Sequence, residues 1–196
     1  MPRSARMVDD RGIYHILNRG NARQRVYQKD ADYRLFLDTL GQMLGQFEIV
    51  LFAYCLMPNH FHLLMQVEKG ESLSLGMQWL TTTYVRRYHR EYGSSGHLWQ
   101  GRYKSFRIHD GDHLLAVTRY IEGNPVRAAL VETATEWGWS SHRGRRAIEA
   151  DALITELPVN YVGNWTEFVD TPLTGKELAL TRRLVAYQHP GEKAVN

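Results

Sequence analysis

The chain reads as an α+β fold: a ferredoxin-like sandwich with an antiparallel sheet and helices on one face, plus a small C-terminal extension. Three observations carry that reading. β-rich runs at residues 13–18 and 49–67 alternate with two helical stripes, and Pro58-Asn59 folds the second run back on itself. Strand, helix, hairpin and helix in this order leave the second face of the sheet open. An open face suits a long polyanion.

Taken in order, Ile13-Tyr14-His15-Ile16-Leu17-Asn18 makes the first strand, closed by the turn former Gly20-Asn21. Phe36, Leu37, Leu40, Met43, Leu44 and Phe47 recur every three or four residues as the apolar stripe of a helix. Asp30 or Asp32 can cap its start by accepting unpaired backbone N–H groups. Ile49 to Tyr54 and His60 to Val67 form the hairpin. After Gly70 a second helix carries Leu73, Met77, Leu80, Tyr84 and Tyr88 as one stripe and ends near Gly93. Residues 94–107 form a surface loop rich in glycine, aromatic and basic side chains, and a third helix runs from about Asp112 to Glu122. Composition shifts at Arg143-Gly144-Arg145-Arg146, which places a boundary near 145–150. The expected domains are therefore 1–147 and 148–196, the second with a helix at 175–187 and no assigned role.

At 196 residues and 43% hydrophobic, the chain can bury one core but not two full-sized ones. Its net charge of +3 permits a nucleic-acid partner without demanding one. No apolar leader opens the sequence, and no run approaches the ~20 residues of a spanning helix, so a cytoplasmic protein without membrane contact is expected. The lone Cys55, in an apolar run, excludes an internal disulfide and a Cys-rich zinc module.

Within the hairpin, the period of two in a strand points His60 and His62 to one face while Phe61, Leu63 and Met65 face a core. Two imidazoles on one face can share a metal. In Arg119-Tyr120-Ile121-Glu122-Gly123-Asn124-Pro125, Tyr120 and Asn124 fall on one side of a helix that Pro125 ends. Asn124 can be a metal ligand, a C-terminal helix cap, or both. Of the eleven tyrosines, Tyr54, Tyr84 and Tyr88 lie on apolar stripes as packing residues, whereas Tyr120 has a base before it and an amide one turn on. Trp99, Arg102, Tyr103, Lys104 and Arg107 interleave aromatics with bases, a pattern that either stacks on unpaired bases or anchors a plain surface loop. Arg19, Arg23 and Arg25 beside the first turn are solvated or hold phosphate, and Arg86, Arg87 and Arg90 form a solvated helix face.

Five blocks in one order, Tyr14 to Asn21, Met57 to His62, Gly96 to Ser105, Arg119 to Ala128 and Trp137 to Ser141, resemble the HUH single-strand DNA transposases with one catalytic tyrosine, the IS200-like superfamily. The likeness is closest to their REP-associated branch and covers roughly residues 12–142. It departs at Gly123, where that family more often carries an aliphatic side chain. The resemblance implies that Tyr120 is the nucleophile, that His60, His62 and Asn124 hold Mg²⁺ or Mn²⁺, and that Arg119 and Arg127 join the basic residues above as DNA contacts. It further implies nicking and rejoining of single-stranded, hairpin-forming REP-like DNA through a 5′-phosphotyrosine. A monomer is expected, with a dimer admissible.

Two other readings stand beside this one. A nucleotide hydrolase with a histidine triad would need a third alternate histidine, and Leu64 occupies that place. A non-catalytic, transposase-derived DNA-binding regulator would retain the basic loops; covalent attachment to labelled hairpin DNA separates it from the enzyme.

Overall fold

The computed structural model describes residues 8–109, 111–146, 152–177 and 181. Strands β1 (Ile13–Arg19), β2 (Ile49–Met57), β3 (His60–Val67) and β4 (Lys104–Arg107) form one antiparallel sheet in the order β2-β3-β1-β4. The hairpin turns at Pro58-Asn59, pairing Met57 with His60. β4 was expected as loop. Its sequence, Lys-Ser-Phe-Arg, has no apolar alternation beyond Phe106; it is a strand because β1 offers it an unpaired edge.

Helices α1 (Asp30–Phe47) and α2 (Gly70–Tyr92) share one face of the sheet. Phe36, Leu40, Met43, Leu73, Met77, Leu80 and Tyr84 meet Ile16, Phe61, Leu63 and Met65 there in the larger core. Asp32 ties down the start of α1 from its third position, accepting the backbone N–H groups of Gln28 at 2.7 Å and Lys29 at 3.1 Å, and the Tyr92 hydroxyl at 2.7 Å. Gly93 ends α2 in the left-handed conformation, with φ +57°.

The other face is not left open. β1, β2 and β3 are apolar on both sides, so Leu17, Ala53, Cys55 and Leu64 also need cover. Helix α3 (Gly111–Glu122) supplies it with Leu114, Val117, Tyr120 and Ile121. Gly123 then leads into a short α4 (Asn124–Arg127), so Pro125 opens a new turn instead of ending the helical path.

The free edge of β2 is closed by residues 137–141. Leu56 donates its N–H to the Trp139 carbonyl at 2.8 Å, the Trp137 indole donates to the Leu56 carbonyl at 3.0 Å, and Ser140 bridges to Cys55. Next come α5 (Ser141–Arg146) and α6 (Trp165–Asp170). Of the helix expected at 175–187, residues 175–177 and 181 are helical and the remainder lies outside the described residues. Among the described residues, no helix is long and apolar enough to cross a membrane.

Candidate active site

β3 is a central strand, so its outward side chains are trapped between sheet and α3. His62 is fully buried and His60 half-buried, their rings 5.0 Å apart and nearly perpendicular. Asn59 holds His60, with its Oδ1 2.7 Å from Nδ1. Tyr120 stands over the pair from α3, its ring centroid 5.9 Å from that of His62. The structure thus brings together a histidine pair and a tyrosine 60 residues apart in sequence.

Sequence reasoning missed a third imidazole. His15, on β1, is fully buried and stacks on His62 with centroids 5.0 Å apart, its Nε2 2.8 Å from His62 Nδ1. It also lies edge-on to Tyr120 at 6.4 Å. Alternation puts His15, Leu17 and Arg19 on one face of β1, but nothing in the sequence says that β1 pairs beside β3.

Burial shapes the electrostatics. It drives His15 down to about 3, assisted by His113, and His62 well below the usual histidine range, assisted by His15 and His60. Both rings are therefore neutral, the form that can ligate a metal. Burial pushes the Tyr120 phenol upward, with Arg127 and Arg19 opposing the rise. The Arg127 guanidinium lies 4.2 Å from the ring centroid and donates to the Tyr120 carbonyl.

The linkage has a definite sign. An unfolded chain binds a proton on each imidazole near 6.5, while folded His15 binds none until about 3. Stability is therefore full above about 6.5 and is lost as pH falls below it, by roughly 1.4 kcal/mol per pH unit per imidazole. Urea unfolding at pH 7, 6 and 5 should show that decline. A flat profile would mean the buried pair is not held neutral.

Asn124 is nearly buried, and its Nδ2 has no hydrogen-bond partner. The two terminal atoms of an amide are interchangeable by rotation of the group. Turned over, it places an unpaired oxygen at that position, and a cation is a partner such an oxygen would take. Asn124 is also the first residue of α4, its carbonyl accepting the Ala128 N–H at 3.0 Å. Among the described residues no group of three or more His, Cys, Asp or Glu side chains is arranged to hold a metal ion by itself. The donors this reading offers are the His60 and His62 imidazoles and the Asn124 amide, a mixed nitrogen and oxygen set that suits an exchangeable divalent ion and not a closed zinc cage.

The basic and aromatic candidates divide. Arg19 is nearly buried and pairs in register with His60, on the site face. Lys104 pairs with Leu17, on the same face. Arg23 and Arg25 are exposed on the loop after β1, which is bonded to the hairpin tip: Gly20 N–H donates to the Asn59 carbonyl at 2.7 Å and Asn59 Nδ2 to the Arg23 carbonyl at 3.1 Å. Arg102 is exposed and, with Asn18, Ser74, Gln78, Thr81 and Tyr103, lines a cavity of about 590 Å³.

Four expected DNA contacts are placed elsewhere. Trp99 is 8% exposed, packed edge-on against Phe61 at 5.3 Å in the larger core. Tyr103 is buried in that same core, its hydroxyl 3.5 Å from Ser74 Oγ. Arg107 pairs in register with Tyr14, on the face away from the histidines, and forms an ion pair with Asp9. Arg119 is 4% exposed: its guanidinium donates to Glu177 at 2.6 Å and to the carbonyls of Thr171 at 2.6 Å and Pro172 at 3.0 Å, over the Phe168 ring. The interleaved pattern is real in sequence, but its aromatics are core anchors.

Behind the tyrosine, Glu122 is a fully buried hub. Its carboxylate accepts from Ser141 at 2.7 Å, Arg145 at 2.7 Å and the Trp165 indole at 2.7 Å, and lies 3.2 Å from His142 Nδ1. Those bonds hold its carboxyl below the usual range despite burial, which pushes the other way. Gly123 belongs to this packing. A Cβ there would lie 3.0 Å from the Val169 carbonyl oxygen and 3.1 Å from that of Arg119. In an open helical turn Gly123→Ala would stabilise; here we expect a loss of roughly 1–3 kcal/mol from overpacking. Thermal unfolding of the variant reads the sign directly, and a gain would show that α6 can withdraw.

Fold and site together define a class of protein. Residues 10–124 match the family described as "Transposase IS200 like", and the chain belongs to that family, whose members in general cleave and transfer DNA strands. A curated relative from Haemophilus influenzae, "Putative REP-associated tyrosine transposase", is 34% identical over a 107-residue alignment covering 48% of this chain and 60% of the relative. The chain thus matches less than two thirds of that relative's length. The solved structure of a REP-associated tyrosine transposase bound to a REP hairpin superposes with a TM-score of 0.62 at 16% identity, covering 83% of this chain and 96% of that one. That likeness establishes the fold.

Proposed function

We propose that this chain is a metal-dependent, single-strand DNA nicking and joining enzyme that acts at hairpin-forming, REP-like sequences. The observation that carries the reading is Tyr120 standing 5.9 Å from the buried His62 ring, inside a fold of the transposase family. His60, His62 and Asn124 would hold a Mg²⁺ or Mn²⁺ ion, which when bound supplies Lewis-acid polarisation of the scissile phosphate and orients it.

The chain's own residues account for the rest. Tyr120 Oη attacks the phosphorus, an O–P bond forms, and the P–O3′ bond breaks. The phenol gives up its proton and the departing 3′-oxygen gains one, leaving a 5′-phosphotyrosine and a free 3′-hydroxyl. The bond is of comparable energy to the one broken, so a 3′-hydroxyl can reverse it. Burial keeps the phenol protonated at rest, while Arg127 and Arg19 favour the anion. Arg19, Arg23, Arg25, Arg102 and Lys104 are the side chains proposed to follow the phosphates.

Hairpin-forming single strands should bind better than the same sequence as perfect duplex, while the affinity carried by the basic contacts falls for both as salt rises. Phosphate contacts weaken steeply with salt, whereas recognition of unpaired bases is screened less. Fluorescence anisotropy on both substrates across a salt series tests this. Equal affinities throughout would leave a general DNA-binding protein, the regulator reading.

A further inference from the structure

We propose that His15 is a positioning residue that fixes the tautomer and orientation of His62, so that Nε2 of His62 faces the metal. This rests on the reading of His62 as a ligand. An imidazole binds a metal through one nitrogen, and the proton on the other decides which nitrogen is available. His62 Nδ1 is already engaged, 2.8 Å from His15 Nε2. If Nε2 of His62 coordinates, Nδ1 must carry the proton and donate it, and His15 Nε2 must accept. His15 then carries its own proton on Nδ1.

Both rings are fully buried, and nearly parallel at 17°, so neither can swing out to trade this bond for water. The arrangement stands where metal-bound histidines commonly have a carboxylate or carbonyl as acceptor. Unlike a carboxylate, a neutral imidazole in that place adds no negative charge. The consequence is a ligand that is oriented without being made strongly basic, in keeping with an exchangeable ion. Asn59 is placed to do the corresponding work for His60, 2.7 Å from its Nδ1.

The test uses the full chain and two readouts other than cleavage. In His15→Phe the ring volume is kept and the acceptor lost, and Mn²⁺ affinity, measured by titration with EPR detection of the free ion, should fall 10- to 100-fold. His15→Gln restores an acceptor oxygen and should recover much of that loss, which a purely structural role would not require. Independently of any variant, long-range ¹H–¹⁵N spectra of the wild-type protein saturated with Mg²⁺ should show His62 protonated at Nδ1 and His15 at Nδ1. His62 protonated at Nε2, or unchanged Mn²⁺ affinity in a folded His15→Phe, would overturn the proposal. If wild-type protein binds no Mn²⁺, the metal site falls and this role falls with it; if it binds and only the variant result fails, the metal site stands without His15.

Discussion

Tyr120→Phe should bind hairpin DNA as the wild type does and form no covalent adduct with it. The substitution removes one oxygen and keeps the ring that packs beside His15 and His62 and under Arg127, so stability should change by less than about 1 kcal/mol. The loss in strand cleavage should be complete, because the phenylalanine ring carries no oxygen to attack the phosphorus. Denaturing gels of 5′- and 3′-labelled hairpins measure this, the adduct retaining the label on the 3′ side of the nick. An adduct that persists would move the nucleophile elsewhere. Tyr84 is a poor substitute, being fully buried with its hydroxyl donated to the Val26 carbonyl at 3.3 Å.

Removing the metal should be as severe. Cleavage should cease in a chelator and return with Mg²⁺ or Mn²⁺, and His60→Ala or His62→Ala should abolish it at saturating DNA. The two variants should differ in stability. His62 is sealed between β3 and α3 and leaves a cavity, whereas His60 is half-buried at the hairpin tip, so His62→Ala should be the less stable protein. Asn124→Ala should cut activity in a way that excess metal partly restores. A residue that only supports the turn of α4 would instead lower stability by roughly 1 kcal/mol and leave the metal requirement unshifted. Full cleavage in chelator would remove the metal from the mechanism.

The elements with strong periodicity were legible in the sequence. α1 and α2 follow their apolar stripes, the hairpin follows Pro58-Asn59, and Gly93 marks the end of α2. Tyr120 and the histidine pair were legible as candidates because each has a local pattern. Long-range pairing was not. β4 is four residues long and held by β1, His15 meets a ring 47 residues away, and Trp99 lies among bases yet packs in the core. Arg119 shows the same limit, since a cation beside a candidate nucleophile suggests DNA until its partner Glu177 is seen, 58 residues on. A polar residue's neighbours in sequence do not reveal whether its charge is spent inside the protein.

Gly123 links two parts of the chain that sequence composition separates. A side chain at this position would meet the main chain of Val169, which would have to withdraw by a few tenths of an ångström. The glycine and the segment around α6 are packed as one unit. A chimera that sets a larger residue at 123 beneath this tail keeps half of a matched pair, and the crowding falls one residue from Asn124 and three from Tyr120.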